Sequence, residues 1–211
     1  MRKNVFVALV LTALMFCSAA SASVIISADT FPDDNFRVYV TRNLDSDNDG
    51  ILSDAEISAV ITIPEGLSYT YDFSSQTLNF PPVALDLANV RDFTGIEYFS
   101  ELKALSCGGL NLSTLLNLVS NDKLVFLHCE RMIVQSLDLS GKTALLYVDC
   151  PSIGLETLDV SACENLLYLN CRNNSISSLN LSASTRLDNL NCSNNNLPRL
   201  DLSDIDELGN S

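Results

Sequence analysis

Basic side chains are scarce in this chain: 12 lysines and arginines stand against 26 acidic residues, for a formal net charge of −14. That balance excludes nucleic acid and anionic membrane surfaces as natural partners, because both are bound through positive charge. It leaves two readings, solubility outside the cell and affinity for cations or basic partners. The cysteines lack the paired spacing, two to four residues apart, that zinc requires. No long hydrophobic run follows the first one, at the N-terminus, which excludes an integral membrane segment beyond it. There is only one histidine, His128.

The first hydrophobic run reads as a leader. Residues 1–4 include Arg2 and Lys3, residues 5–17 are apolar, and Ala20, Ser21 and Ala22 form a small-residue cleavage site. Together these predict a signal peptide over 1–22 and a secreted product. Cys17 follows bulky Phe16, which argues against a lipoprotein site.

What the chain has in quantity is a repeat. Cysteines fall at 107, 129, 150, 171 and 192, at spacings of 22, 21, 21 and 21 residues, each ending the phrase L-x-x-L-x-C with Val148 as one conservative departure. Apolar residues recur five, eight and ten places later, as in Leu155, Leu158 and Val160 after Cys150. This is the pattern of a short leucine-rich repeat with one brief parallel strand per turn. The expected fold is α+β: a solenoid of ~21-residue repeats over 85–211, with a small helix-loop-helix cap over 23–61 and a connecting segment over 62–84. Val90, Phe93, Ile96, Phe99, Leu102 and Leu105 recur every third residue, as a tight helical turn feeding the first strand would. In the connector Tyr69, Tyr71 and Phe73 alternate, then Leu78 and Phe80, which admits a small hairpin.

Stacked cysteines on neighbouring parallel strands point the same way about 4.8 Å apart, whereas a disulfide prefers Cβ atoms roughly 3.8 Å apart. Buried thiols acting as small hydrophobes fit better. Cys163 falls outside this ladder, in a connecting turn, as a candidate reactive thiol or a tolerated surface residue.

Residues 45–56 match the twelve-residue EF-hand loop. Asp45, Asp47 and Asp49 offer carboxylates at the first, third and fifth places, and Gly50 permits the turn. Ile51 offers its carbonyl, Ser53 acts through water and Glu56 closes the site with two oxygens. Ca²⁺ is the expected cofactor, because it takes about six to eight oxygen ligands. With no second loop in the chain, a structural staple for the cap is expected rather than a sensor.

These residues resemble secreted bacterial leucine-rich repeat proteins of the internalin type, in the branch with a cysteine ladder, over roughly 31–211. The resemblance rests on Phe31 to Arg37 running into the calcium loop, on Gly95 to Phe99, and on Cys192 to Leu197 with Leu200 to Ser203. It implies secretion or cell-surface display and adhesion through protein binding. Asn174 and Asn195 hold a place that ties the loop backbone in this family, and Met132 and Ile153 replace it in two repeats.

Within L-x-x-L-x-C the third and fifth places point to the concave face. The third place reads Ala104, Phe126, Tyr147, Tyr168 and Asn189; the fifth reads Ser106, His128, Asp149, Asn170 and Asn191. An exposed stripe of three aromatics beside a polar column predicts a recognition surface for a protein or glycan on a cell surface. Phe126, His128, Tyr147, Asp149, Tyr168 and Asn170 are the candidate contacts. Association through the calcium module or an open C-terminal strand edge is the alternative. His128 beside Asp149 and Ser106 invites a catalytic reading, but adjacent strands produce such rows in any repeat, and no enzyme is expected.

Overall fold

A computed structural model describes residues 23–63, 70–72, 77–79, 87, 89–108, 110, 112, 115–130, 132–134 and 136–205. The leader expected over 1–22 lies outside the described residues, as do Tyr69, Phe73 and Phe80 of the connector.

The N-terminal cap is built around two helices. Strand β1 (Val24–Ile25) precedes α1 (Asp34–Asn43), and β2 (Ile51–Leu52) precedes α2 (Asp54–Ala59). Asp33 starts α1 by accepting from the amides of Asn35 and Phe36 at 2.9 and 2.8 Å. Its other oxygen takes the Arg91 amide at 2.9 Å, so one carboxylate both caps the helix and ties it to the repeats. Behind it an aromatic cluster fills the joint: Phe31 meets Phe36 and Tyr98 edge-on at 5.8 Å, and Phe36 meets Phe93 at 4.8 Å. Gly95 is required here. Its φ is +103°, and a Cβ would lie 2.4 Å from the Phe31 ring.

The main sheet starts one rung earlier than the cysteine repeats. Strand β3 (Thr62–Ile63) lies within the segment read as a connector, yet it pairs in parallel with the first repeat strand, Thr62 opposite Ala104. Beyond it β4 (Thr70–Asp72) and β5 (Thr77–Asn79) pair antiparallel, Tyr71 opposite Leu78. The repeat strands follow: β6 (Ala104–Ser106), β7 (Phe126–His128), β8 (Tyr147–Asp149), β10 (Tyr168–Asn170) and β12 (Asn189–Asn191). With β3 they form one parallel sheet in the order β12-β10-β8-β7-β6-β3. The return limbs add β9 (Leu158–Asp159) and β11 (Leu179–Asn180), a separate parallel pair. A 3-10 turn at Ile96–Tyr98 feeds β6, matching the three-residue apolar spacing.

Each strand sends its middle residue inward. Leu105, Leu127, Val148 and Leu169 are fully buried, as are Cys107, Cys129, Cys150 and Cys171. The cysteines are free thiols; Cys107 and Cys129, the pair with the 22-residue interval, bring their sulfurs to 3.1 Å. Cys163 is buried as well, which corrects its reading as a surface or reactive thiol. It shares a column with Asn121, Lys142 and Ser184, thirteen or fourteen residues after each ladder cysteine. All four are buried. Burial pushes the Cys163 thiol up to about 11, so it stays protonated.

Asn174 does most to close a turn of the coil. Its oxygen accepts from the amides of Ile153 and Leu155 at 3.0 and 3.1 Å, and its nitrogen donates to the carbonyls of Cys150 and Cys171, each at 2.9 Å. Asn195 repeats the pattern one rung on, bonding the Ile176 amide and the Cys171 and Cys192 carbonyls.

Candidate functional site

The acidic loop of the cap gathers three carboxylates. Asn48 at φ +59° and Gly50 at φ +82° turn the backbone. One oxygen each from Asp45, Asp47 and Asp49 then lies within 4.8 Å of the other two. Asp45 is buried; its Oδ2 accepts from the Gly50 amide at 3.1 Å, while its Oδ1 is buried with no hydrogen-bond partner. The Asp49 amide pulls the Asp47 carboxyl down, but desolvation and the charges of Asp49 and Glu56 outweigh it, leaving Asp47 above its ordinary pKa. A buried orphaned carboxylate oxygen among mutually repelling acids is a donor set that a hard divalent cation would satisfy.

Glu56 and Ser53, the remaining expected ligands, are bonded to each other, and the charge of Glu56 reaches Asp47. Glu56 accepts from the Ser46 amide and hydroxyl at 2.6 and 2.7 Å, and from the Ser53 amide and hydroxyl at 2.9 and 2.8 Å. These bonds, the Ser46 hydroxyl foremost, hold its pKa at about 2. Ser53 and Glu56 thus form the capping box of α2. The S-x-x-E signal was present in the sequence inside the calcium motif. Ile51, the expected carbonyl ligand, donates its amide to Asp49 at 2.7 Å and sits in β2 opposite Ile25 of β1. The short central strand of the loop is therefore paired with the N-terminal segment instead of a second loop.

On the concave face the expected columns form, but they are less accessible than the pattern predicts. Phe126 and Tyr147 stack at 4.8 Å and 12°, and Tyr147 and Tyr168 at 4.2 Å and 11°. Tyr147 has a ring on each side and is 7 % exposed; Phe126 is 4 % exposed. His128, Asp149 and Asn170 are buried too, so the stripe is not the open surface expected. Of the six candidate contacts only Tyr168 keeps intermediate exposure, and beyond it Asn189 and Asn191, also of intermediate exposure, occupy the next rung. Ring thickness explains the difference. Strands about 4.8 Å apart leave little more than the thickness of an aromatic ring between side chains on adjacent rungs.

The polar column is joined by two hydrogen bonds with a longer His128–Asp149 contact between them. Ser106 Oγ lies 3.0 Å from His128 Nδ1, His128 Nε2 lies 3.8 Å from Asp149 Oδ2, and Asn170 donates to Asp149 Oδ1 at 2.8 Å. Burial pulls His128 down to about 4 and lifts Asp149 to about 6. Gly108 makes room for the imidazole, since a Cβ there would lie 2.3 Å from His128 Cε1. The row places a serine, a histidine and an aspartate together, yet Ser106 is 2 % exposed, which gives a substrate carbonyl no approach to its hydroxyl.

No known family profile matches the sequence, and no curated protein matches it. Solved structures do. The chain is similar to internalin C2 of Listeria monocytogenes at 16 % identity and a TM-score of 0.50, covering 88 % of this chain and 95 % of that one. It also matches the functional domain of InlJ from the same organism, described as including a cysteine ladder, at 21 % identity and a TM-score of 0.44. That match covers 88 % of this chain but only 46 % of the InlJ chain. The likeness to internalin C2 shows the fold, a leucine-rich repeat solenoid. No helix of the described residues is long and apolar enough to cross a membrane.

Proposed function

We propose that this is a secreted or cell-surface bacterial leucine-rich repeat protein that binds another macromolecule through its concave face, with a structural Ca²⁺ site in the cap. The observation that carries the binding reading is the partly open end of that face. Tyr168, Asn189 and Asn191 offer an aromatic ring and carboxamides on a rigid parallel sheet, whereas Phe126 and Tyr147 serve as the stacked support behind them. No catalytic role is part of this reading, because the serine-histidine row is enclosed. The calcium reading is supported by the orphaned Oδ1 of Asp45 within the aspartate trio.

The test is capture from cell-surface extracts by the immobilised protein in millimolar calcium, with a folded Tyr168→Ser, Asn191→Ala variant alongside. A partner held by wild type and lost by the variant supports the concave face. Equal retention by both moves recognition to another surface.

A further inference from the structure

A second cluster of metal-ligating atoms lies inside the repeats, and it is made of sulfur. Cys107 Sγ lies 3.1 Å from Cys129 Sγ on the next rung and 3.8 Å from Met132 Sδ. All three residues are buried. Met132 stands three residues after its ladder cysteine, the place from which Asn174 and Asn195 tie the turn backbone. At this rung a thioether thus replaces a carboxamide beside two thiols. We propose that Cys107, Cys129 and Met132 form a binding site for a soft monovalent metal ion, Cu(I). The site is independent of the concave-face reading and of the calcium loop.

Ligand type, number and spacing each bear on the ion. Thiolate and thioether sulfurs are soft donors and favour Cu(I) over hard cations such as Ca²⁺ and Mg²⁺. Structural zinc and iron–sulfur clusters take four protein ligands as a rule. Among the described residues the loop aspartates are the one group of three or more histidine, cysteine and carboxylate ligands, so the cysteine pair gains no third of that kind and Met132 completes a set of three. Two metal–thiolate bonds of about 2.3 Å, the length known for zinc, span about 4.6 Å in a line, or hold sulfurs about 4.0 Å apart in a trigonal plane. Neighbouring strands stand about 4.8 Å apart. The backbone spacing therefore suits the ion already: side-chain rotation moves the cysteine sulfurs apart from 3.1 Å, and Met132 at 3.8 Å is close to its place. A disulfide asks the opposite, a further approach to about 2.05 Å, and leaves Met132 idle. On binding, each cysteine releases its thiol proton to solvent and each sulfur donates a lone pair to Cu(I), whose oxidation state is unchanged. Because the set is enclosed, uptake accompanies folding of the repeats.

The test is anaerobic refolding of the full chain from urea with Cu(I) supplied in acetonitrile, or with Ag(I) as its closed-shell analogue, followed by gel filtration and metal analysis. A Cys192→Ser background removes the partly exposed thiol, which would otherwise take metal by itself. That background is expected to retain one equivalent of either ion. Met1 and Met15 both fall in residues 1–22, so an isotopically labelled Met132 methyl group is readily assigned, and its NMR signal should shift on loading. Met132→Leu, which conserves core volume and guards against a folding artefact, should weaken retention against a competing chelator at least about tenfold. Cys129→Ser should abolish retention, and Cys171→Ser should leave it intact. No retained ion, an unmoved Met132 methyl signal, equal retention in Met132→Leu, equal loss in Cys171→Ser, tighter retention of zinc than of Cu(I), or a metal-free product short of two hydrogens would each overturn the proposal.

Discussion

At the scale of single residues, Asn174 carries more backbone than any apolar side chain of its repeat. It satisfies the Ile153 and Leu155 amides and the Cys150 carbonyl, and it shares the Cys171 carbonyl with Asn195. Asn174→Ala should therefore cost about 2–4 kcal/mol in urea unfolding, and Asn195→Ala less, because its site is partly exposed and water can replace the bonds. The buried pair on the concave face makes a second prediction. His128 is held near 4, below the imidazole norm of 6.5, so its contribution to stability is complete above 6.5 and is lost as pH falls toward 4. Asp149 is held near 6, above 3.8, so its contribution is complete below 3.8 and is lost as pH rises through 6. Between about 4 and 6 the two oppose one another. Asp149→Asn keeps an acceptor for Asn170 and removes the second effect. The variant should be more stable than wild type at pH 7, by about 2–3 kcal/mol at most, and that advantage should vanish by pH 4. Denaturant midpoints across the range decide it; a constant difference would place the cause outside Asp149 titration.

Whole elements were read from the sequence where a period ran long enough. Five cysteines at near-constant spacing placed one brief strand in each repeat phrase, where β6, β7, β8, β10 and β12 lie, and the calcium motif falls at the turn between α1 and α2. Strand β3 escaped because two residues carry no period, although they supply the first rung of the sheet. The column of Asn121, Lys142, Cys163 and Ser184 escaped because its four side chains differ in type, so Cys163 looked solitary. Exposure of the aromatic stripe was misjudged because alternation assigns a face but says nothing of what neighbouring rungs cover. The ladder itself can be checked by thiol chemistry. Burial raises the Cys150 thiol well above its usual value and Cys171 to about 12, while Cys192 is only partly buried. Partial burial raises the Cys192 thiol as well, so of the six cysteines described a disulfide reagent should modify Cys192 first in the native protein, and all six after unfolding. Rapid native labelling of Cys163 would contradict its place in the buried column.

For the molecule as a whole, the cap and the solenoid share one apolar core, joined through Phe31, Phe36, Phe93 and Phe99. Anything that orders the cap should thus stabilise the repeats. The acidic loop is the place where an external ion could do so, since its three aspartates repel one another and one buried oxygen lacks a partner. A ligand that binds only the folded state adds about 2.7 kcal/mol at a hundredfold excess over Kd. Calcium should accordingly raise the melting temperature of the entire unfolding transition, not of a separate cap transition, and Asp45→Ala should abolish the rise. Acidification should weaken it as well, because protons compete for the carboxylates. Strand β1 adds a further condition. It stands where a second loop would pair with β2, so deleting residues 23–25 should lower calcium affinity even though those residues supply no ligand. Calorimetric titration of wild type, Asp45→Ala and the deletion separates the two effects: loss of binding in the first with unchanged affinity in the third would leave the ion site intact but remove β1 from it.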